Sequence, residues 1–204
     1  MVSLKDRPFQ RYSNGCRQVV GCIPYRFRRS NQSRGFCGSI SDEIEVLLIS
    51  SQKGQAWLFP KGGWEIDESM EMAAKRETLE EAGVVGDVKC ELGMWRYKSK
   101  TQEVFHEGYM FSMLVEEQLV VWQEGNMRRR MWMTVDEARE KCPHWWMKEA
   151  LESFVCQLVR KQEEEESLST NCLLEFLRTE DQRVVAQKGT GKGDEEVDCC
   201  QLVK

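Results

Sequence analysis

Residues 62–84, which read GGWEIDESMEMAAKRETLEEAGV, decide the fold of this 204-residue chain. Two glycines open the stretch, and a helical pattern follows over residues 69–82, with methionine, alanine and leucine at the apolar positions. Asp67 or Ser69 can cap the start of this helix, and Gly83 can end it. The stretch therefore predicts a tight turn that is followed directly by a helix.

Three glutamates of the predicted helix fall on one narrow face. At about 100° per residue, Glu80 and Glu81 lie on either side of the direction of Glu77. Like charges at these spacings destabilise a helix, whereas Mg²⁺ and Mn²⁺ require a cluster of hard oxygen ligands. Without further context, a solvated acidic face is the commoner meaning of such a triplet, so the flanking residues must decide between the two.

The spacing of the charged and glycine residues resembles the Nudix signature. Glu68 falls six residues after Gly62, and Arg76 falls eight residues after Glu68. The sequence then continues as Arg-Glu-x-x-Glu-Glu-x-Gly-apolar, and Thr78 departs from the aliphatic residue that is usual there. The resemblance implies a Nudix α/β/α sandwich with a mixed β-sheet, a catalytic loop-helix-loop and a C-terminal helix.

The resemblance also implies a metal-dependent hydrolysis and assigns the ligands of the metal. Glu77 and Glu81 match the main metal ligands, and Glu80 matches the ligand or general base that activates water. The backbone carbonyl of Lys61 matches a further ligand. Mg²⁺ or Mn²⁺ would neutralise the diphosphate oxygens and lower the pKa of bound water, and a glutamate would take the water proton.

The remaining residues of the signature are implied to orient the catalytic groups or to meet the substrate. Arg76 and Glu68 match a guanidinium–carboxylate contact that fixes the loop and orients the glutamates. Both are therefore expected among the catalytic residues, alongside the helix glutamates. Gly62 and Gly63 permit a tight turn, and we expect them to bring backbone groups close to the substrate.

Sequence outside the signature narrows the implied substrate. The segments RQVVGCIPYR, PKGGWE, YKSK, GYMF, WWM and EALE resemble plant members of the diphosphoinositol polyphosphate and diadenosine polyphosphate phosphohydrolases, over residues 10–155. Such substrates are dense in phosphate and require cations near the site. The positions that approximately match the substrate-contacting cations of that group are Arg17, Lys98, Lys100 and Arg128. Taken singly, each could instead be a solvated surface charge.

Three functions stay open on the sequence. The first is hydrolysis of diphosphoinositol polyphosphates, with dinucleoside polyphosphates as further substrates. The second is a Nudix pyrophosphatase acting on ADP-ribose, NADH or capped RNA, which the basic flanks disfavour. The third is a non-catalytic Nudix-like binding module, which is disfavoured because all three helix glutamates are present.

The distribution of charge divides the chain. The net charge is −5, yet residues 1–160 hold 23 basic and 23 acidic side chains, and residues 161–204 hold 6 and 11. The predicted Nudix domain spans residues 17–162 and follows an N-terminal arm over residues 1–16. Residues 163–204 are predicted to be an acidic, disordered tail. We expect a monomer that binds a small phosphate-rich substrate, with neither a membrane nor a nucleic acid other than capped RNA as a partner.

Cysteine usage and the first residues bear on localisation. The nine cysteines are scattered without a CxxC pair, so a structural zinc site is not expected. The first ten residues lack the apolar region of a signal peptide. We therefore expect reduced thiols in a cytoplasmic protein, with the nucleus as a second compartment. Import into a mitochondrion or plastid is the alternative, in which Lys5, Arg7 and Arg11 charge the arm.

Apolar patterns predict the remaining elements. Strands are predicted over residues 17–28, 43–50, 57–59, 91–97, 108–115 and 130–134. Helices are predicted over residues 135–141 and from 145 to about 162. A Ser- and Gly-rich loop is predicted over residues 30–42. Neither His106 nor His144 has a partner histidine nearby in the sequence, so a metal role is not expected for them.

Overall fold

The computed structural model describes residues 9–28, 40–52, 54–99 and 104–188, with side chains as far as residue 165 and at 167 and 168. The strands in these ranges are β1 (Tyr12–Ser13), β2 (Cys16–Phe27), β3 (Ile44–Ser50), β4 (Trp57–Leu58), β5 (Lys61–Gly63), β6 (Val84–Lys98), β7 (Phe105–Gln118) and β8 (Arg130–Met133). The helices are α1 (Ile40–Glu43), α2 (Met70–Ala82), α3 (Val135–Lys141) and α4 (Trp145–Lys188).

The strands form one mixed sheet with the order β4-β3-β2-β7-β6. Strands β2 and β7 run parallel, from Arg17 opposite His106 to Tyr25 opposite Leu114, and the other pairs are antiparallel. Strands β1 and β5 pair with β2, and β8 pairs with β3. Strands β2 and β3 are buried along most of their length, as expected for strands that are covered on both faces.

Helices cover the two faces of the sheet. Successive residues of a strand point to opposite faces, so Val20 and Cys22 of β2 pack with α2, whereas Ile23 and Tyr25 pack with α4. The α2 side is closed by small alanines of the helix, and the α4 side by large side chains such as Phe154. The predicted α/β/α sandwich with a mixed sheet is confirmed.

Helix α2 begins and ends where local chemistry predicts. Of the two expected caps, Ser69 is the one observed, and its hydroxyl accepts the N–H of Met72 at 3.1 Å. Gly83 ends the helix with φ of 61°, in the left-handed region that glycine reaches without strain. Arg130 then donates to the terminal carbonyls of Ala82 and Gly83 at 2.7 and 3.0 Å. This cation stabilises the negative end of the helix dipole.

Several strands differ from the sequence-based expectation. The strand predicted over residues 91–97 is the end of β6, which begins at Val84 and carries three register shifts against β7. Such bulges break the alternation of apolar and polar residues on which the prediction depended. Strands β1 and β5 were not predicted, because two or three residues are too short to show a period. In the loop predicted over residues 30–42, Ile40–Glu43 is helical, and residues 29–39 lie outside the described ranges.

Helix α4 is longer than predicted. It continues to Lys188, so the expectation of a disordered tail is wrong for residues 163–188, while residues 189–204 lie outside the described ranges. The sequence has no proline or glycine from Trp145 to Lys188 and is rich in glutamate, glutamine, leucine and arginine, which favour helices. Acidic composition was a poor guide there because helix formation depends on these local propensities.

The chain divides into two compact units, Met1–Val159 and Arg160–Lys204. The first unit contains the sheet, and the described part of the second is helical. The predicted domain limits at residues 17 and 162 stay predictions. None of the helices in the described ranges combines the length and the apolar character that crossing a membrane requires.

Candidate active site

Most of the predicted site residues line one cavity of about 940 Å³. This volume lies within the range of about 300–1,000 Å³ that is usual for ligand pockets. Strand β5 and helix α2 form one side, where Glu77, Glu80 and Glu81 all line the cavity. Other lining residues are Phe9, Gln10, Arg17, Lys61, Gly62, Gly63, Arg76, Tyr97, His106, Arg128 and His144.

The carboxylate of Glu77 lies directly against Gly62. A β-carbon on that glycine would be 1.9 Å from Glu77 Oε2, so no other residue fits there without moving the glutamate. Burial raises the pKa of Glu77 to about 7, against the opposing effect of the hydrogen bond from Arg76. Gly62 therefore allows the buried carboxylate of Glu77 to lie close to the backbone.

Arg76 links the start of the loop to the helix. Its Nε and Nη2 donate to the two oxygens of Glu68 at 3.0 and 2.6 Å, and Nη1 donates to Glu77 at 2.8 Å. Nη2 also donates to the carbonyl of Gly63 at 2.9 Å. Burial alone would raise the pKa of Glu68, but the hydrogen bonds from Arg76 and from the Glu65 N–H lower it. These contacts are the ones that the implied orienting role requires.

Glu81 is held at both carboxylate oxygens. Oε2 accepts the Lys61 N–H at 2.8 Å, and Oε1 is paired with Arg128 Nη2. Burial raises the pKa of Glu81, while the nearby charges of Lys61 and Arg128 oppose the shift. Arg128 is itself buried, and it also contacts the Glu124 carboxylate and donates to the carbonyl of Ser50 at 3.1 Å. The arginine predicted to bind substrate therefore holds a predicted metal ligand.

The donor set suits a hard divalent cation, although the carboxylates are engaged by arginines. Among the residues with described side chains, no three acidic, histidine or cysteine groups are arranged around one point. Arg76 holds Glu77 and Arg128 holds Glu81, whereas Glu80 lies 3.7 Å from Arg76 Nη1. A metal would compete with these guanidinium groups for the same oxygens, which are of the type that Mg²⁺ and Mn²⁺ prefer.

The four basic residues that were predicted to bind the substrate differ in their positions relative to the cavity. Arg17 lines the cavity, and its Nε donates to Gln10 Oε1 at 2.7 Å. Lys98 is exposed and is absent from the described lining, because side chains alternate along a strand and its neighbours Tyr97 and Ser99 face the cavity. Lys100 lies outside the described residues. Of the four predicted cations, the structure thus brings Arg17 and Arg128 to the cavity.

Sequence reasoning missed several residues that line the cavity or contact its arginines. Gln10 and Glu124 contact the predicted arginines, but a single glutamine or glutamate carries no signal in a sequence. His106 and His144, for which only a metal role was considered, line the cavity together with Tyr97. Burial raises the pKa of Tyr97, and the charge of Arg17 opposes the shift.

Known sequences are similar to most of this chain. The family model described as NUDIX domain matches residues 32–154. Two proteins of Arabidopsis thaliana, named Nudix hydrolase 18, mitochondrial and Nudix hydrolase 17, mitochondrial, are each 56% identical over 172 residues. These alignments cover 82% and 83% of this chain, and 95% and 92% of those proteins.

A more distant relative comes from Mus musculus and is named diphosphoinositol polyphosphate phosphohydrolase 3-alpha. It is 36% identical over 127 residues, which cover 61% of this chain and 68% of that protein. The resemblance to plant members of this group, inferred from the flanks of the signature, is confirmed.

Solved structures share the fold at low sequence identity. A NUDIX hydrolase from Nitrosomonas europaea is 19% identical with a TM-score of 0.52, covering 69% of this chain and 88% of that one. An Ap4A hydrolase binary complex from C. elegans is 20% identical with a TM-score of 0.51, covering 69% and 96%. At such identity the likeness shows the fold alone.

The names of the plant relatives contradict the expected compartment. We expected a cytoplasmic or nuclear protein, with import into a mitochondrion or plastid as the alternative, whereas both Arabidopsis relatives are named mitochondrial. The expectation relied on the lack of an apolar signal peptide. Import segments for organelles are basic rather than apolar, so that criterion does not detect them.

Proposed function

This chain belongs to the Nudix hydrolase family, and we propose that it cleaves the diphosphate group of diphosphoinositol polyphosphates with Mg²⁺ or Mn²⁺. It is an enzyme that hydrolyses pyrophosphate-containing substrates, and Nudix hydrolases generally use divalent metal ions. One observation carries the proposal for this chain. The three helix glutamates line the same cavity as the basic side chains of Arg17 and Lys61.

We assign the metal ligands to Glu77, Glu80, Glu81 and the carbonyl of Lys61. A bound divalent ion would neutralise the diphosphate oxygens and make its bound water more acidic. We assign Glu80 as the general base, because its side chain is 31% exposed, compared with 13% for Glu77 and 10% for Glu81. A carboxylate that takes a proton from water must be open to the water it activates.

The charges of the cavity support a phosphate-dense substrate once metal is bound. The described lining has four basic side chains, Arg17, Lys61, Arg76 and Arg128, and four acidic ones, Glu65, Glu77, Glu80 and Glu81. Each divalent ion would add two positive charges to this balanced set, so the loaded cavity would attract a polyanion. The name of the mouse relative supports an inositol-based polyanion as the first candidate.

Dinucleoside polyphosphates are the second candidate, because planar side chains line the same cavity. Phe9 is 59% exposed and lines the cavity, as do Tyr97 and His144. Tyr97 is backed by Trp146, whose ring stacks on it at 4.4 Å and 7°. Such rings can stack on a nucleobase. ADP-ribose, NADH and capped RNA each carry a nucleobase as well.

A substrate panel tests the proposal. We would separate and quantify the hydrolysis products by anion-exchange chromatography, and measure kcat/KM with Mg²⁺, for a diphosphoinositol pentakisphosphate, diadenosine tetraphosphate, ADP-ribose, NADH and capped RNA. We expect the highest kcat/KM for the diphosphoinositol compound and no turnover after chelation. A higher value for any nucleotide would overturn the inositol assignment. Turnover that persists without metal would overturn the assignment of the glutamates.

For localisation, we propose a mitochondrial protein on the basis of the relatives' names. The whole chain with a fluorescent protein at its C-terminus should colocalise with a mitochondrial marker. A signal confined to plastids or spread through the cytoplasm would contradict the proposal.

A further inference from the structure

The described residues before β2 pack along the loop that follows β5. The N–H of Arg11 donates to the carbonyl of Trp64, and the N–H of Ile66 donates to the carbonyl of Phe9, both at 2.8 Å. Gln10, between these two bonds, points its side chain into the protein and is 8% exposed. A segment outside the matched family region thus brings a buried amide to the wall of the cavity.

Hydrogen bonds set the orientation of the Gln10 amide. Its Nε2 donates to the carbonyls of Gln18, Arg11 and Trp64 at 2.9, 3.1 and 3.2 Å. The oxygen Oε1 therefore faces the other way and accepts Arg17 Nε at 2.7 Å. A reversed amide would place its oxygen against three carbonyls and its amino group against a guanidinium, so the observed orientation is the only one that satisfies every partner.

Gly63 leaves the room that this pair needs. A β-carbon on Gly63 would be 2.1 Å from Gln10 Oε1 and 3.0 Å from Arg17 Nη2. The carbonyl of the same glycine accepts Arg76 Nη2 at 2.9 Å. Arg17 therefore lies against Gly63, whose carbonyl accepts a hydrogen bond from Arg76. This places Arg17 beside helix α2, which carries the three glutamates.

We propose that Gln10 is a positioning residue that holds the Arg17 guanidinium for a substrate phosphate, and this rests on the function proposed for the cavity. Gln10 suits this positioning role because its amide is neutral. A carboxylate at this position could accept the same N–H but would cancel the charge that attracts the phosphate. An amide orients the guanidinium without adding a negative charge beside it.

The backbone around Gln10 does not depend on its side chain for pairing. The carbonyls of Arg11, Trp64 and Gln18 each also accept a backbone N–H, at 3.1, 2.8 and 3.2 Å. Removing the amide therefore leaves none of the three without a hydrogen bond. A substitution at Gln10 should fold, which makes its effect on ligand binding measurable.

The test is a double-mutant cycle between Gln10→Met and Arg17→Ala in the whole chain. The binding probe is imidodiphosphate with Mg²⁺, a diphosphate analogue that resists hydrolysis, measured by calorimetry. KM and kcat for the diphosphoinositol compound are measured in parallel. Gln18→Met is the matched control, because Gln18 is also buried and its amide donates to Glu107 at 2.8 Å, but it is absent from the described lining.

We expect Gln10→Met to weaken imidodiphosphate binding and raise KM by about tenfold or more, the size of one hydrogen bond to a charged group. In the Arg17→Ala background the same change should alter binding by less than about twofold. Gln10→Glu, which keeps the acceptor but adds a negative charge and sets a second oxygen against the three carbonyls, should also weaken binding. Gln18→Met should lower the thermal midpoint without changing the Kd.

The proposal is overturned if Gln10→Met weakens binding equally in the wild-type and Arg17→Ala backgrounds. It is also overturned if Gln10→Met binds imidodiphosphate with wild-type affinity, or if the wild-type chain does not bind imidodiphosphate. Failure of the proposed function would look different. In that case the wild-type chain would bind imidodiphosphate with the coupling described, yet would not hydrolyse the diphosphoinositol compound.

Discussion

Replacing Arg128 with methionine removes the guanidinium that joins three parts of the candidate site. The side chain is 8% exposed and contacts the carboxylates of Glu81 and Glu124 and the carbonyl of Ser50. Methionine is long and flexible enough to fill much of the same space. The main loss is therefore electrostatic, since Glu81 stays buried and keeps the N–H of Lys61 but loses its arginine.

The expected magnitude follows from the buried carboxylate that is left without its cation. Removing one partner of a buried ion pair typically costs about 3–5 kcal/mol. A domain of 150–250 residues loses roughly 2–4 °C of Tm per kcal/mol, so we expect Tm to fall by about 6–20 °C.

The loss should depend on pH with a definite sign. Burial raises the pKa of Glu81 above its ordinary value of 4.5, and the charge of Arg128 opposes this shift. Without Arg128 the pKa in the folded state rises further. A raised pKa contributes stability that is present below the ordinary value and is lost as pH rises through the folded-state value. The difference between variant and wild type should therefore be small near the ordinary value and grow towards alkaline pH.

The assay is urea and thermal unfolding of the metal-free protein in EDTA, at about pH 5 and about pH 8. Arg129→Met is the matched control, because Arg129 is exposed and its guanidinium lies 5.7 Å from the ring centroid of Trp57. We expect the control to change stability by no more than about 0.5 kcal/mol. A loss for Arg128→Met below about 1 kcal/mol at pH 8, or an equal loss at both pH values, would refute the reasoning.

Four further predictions concern the site and the tail. Glu80→Gln and Glu81→Gln should each fold but lose about 10²-fold or more of the Mg²⁺-dependent turnover, and wild-type turnover in either would contradict the assignment. Gly62→Ala should weaken Mg²⁺ binding in a calorimetric titration, because the new β-carbon would lie 1.9 Å from Glu77 Oε2; unchanged affinity would show that Glu77 is not a ligand. Arg17→Ala should raise KM for the diphosphoinositol compound by about tenfold or more, whereas Lys98→Ala should change it far less, and the reverse order would place Lys98 at the substrate. A chain truncated after Lys161 should keep its Tm and turnover, and loss of either would mean that the tail supports the domain.

Elements with strong local signals were predicted closely. Helix α2 begins after Ser69 and ends at Gly83, and α3 spans the predicted Val135–Lys141 with Thr134 as its cap. Capping depends on residues within one turn, so the sequence carries the whole signal. Strand β6 was harder, because its bulges interrupt the alternation that identifies a strand.

The contact between Arg76 and Glu68 was expected from the resemblance to the Nudix signature, and the structure contains it. Glu68 and Arg76 lie eight residues apart, across a turn and the first two turns of one helix, so their spacing nearly determines their meeting. The roles of Arg17 and Lys98 could not be separated in this way. Their access to the cavity depends on which face of a strand each residue occupies.

The sequence by itself therefore determined the family, the α/β/α fold and the face of helix α2 that carries the three glutamates. Only the tertiary structure decided that Arg128 is buried against Glu81, that Lys98 is absent from the described lining and that Gln10 holds Arg17. The physical reason is that strand pairing brings distant residues together, and a shift of one residue in a strand moves each side chain to the opposite face. Spacing along one helix is fixed by its period, whereas spacing across a sheet is fixed by a register that the sequence does not display.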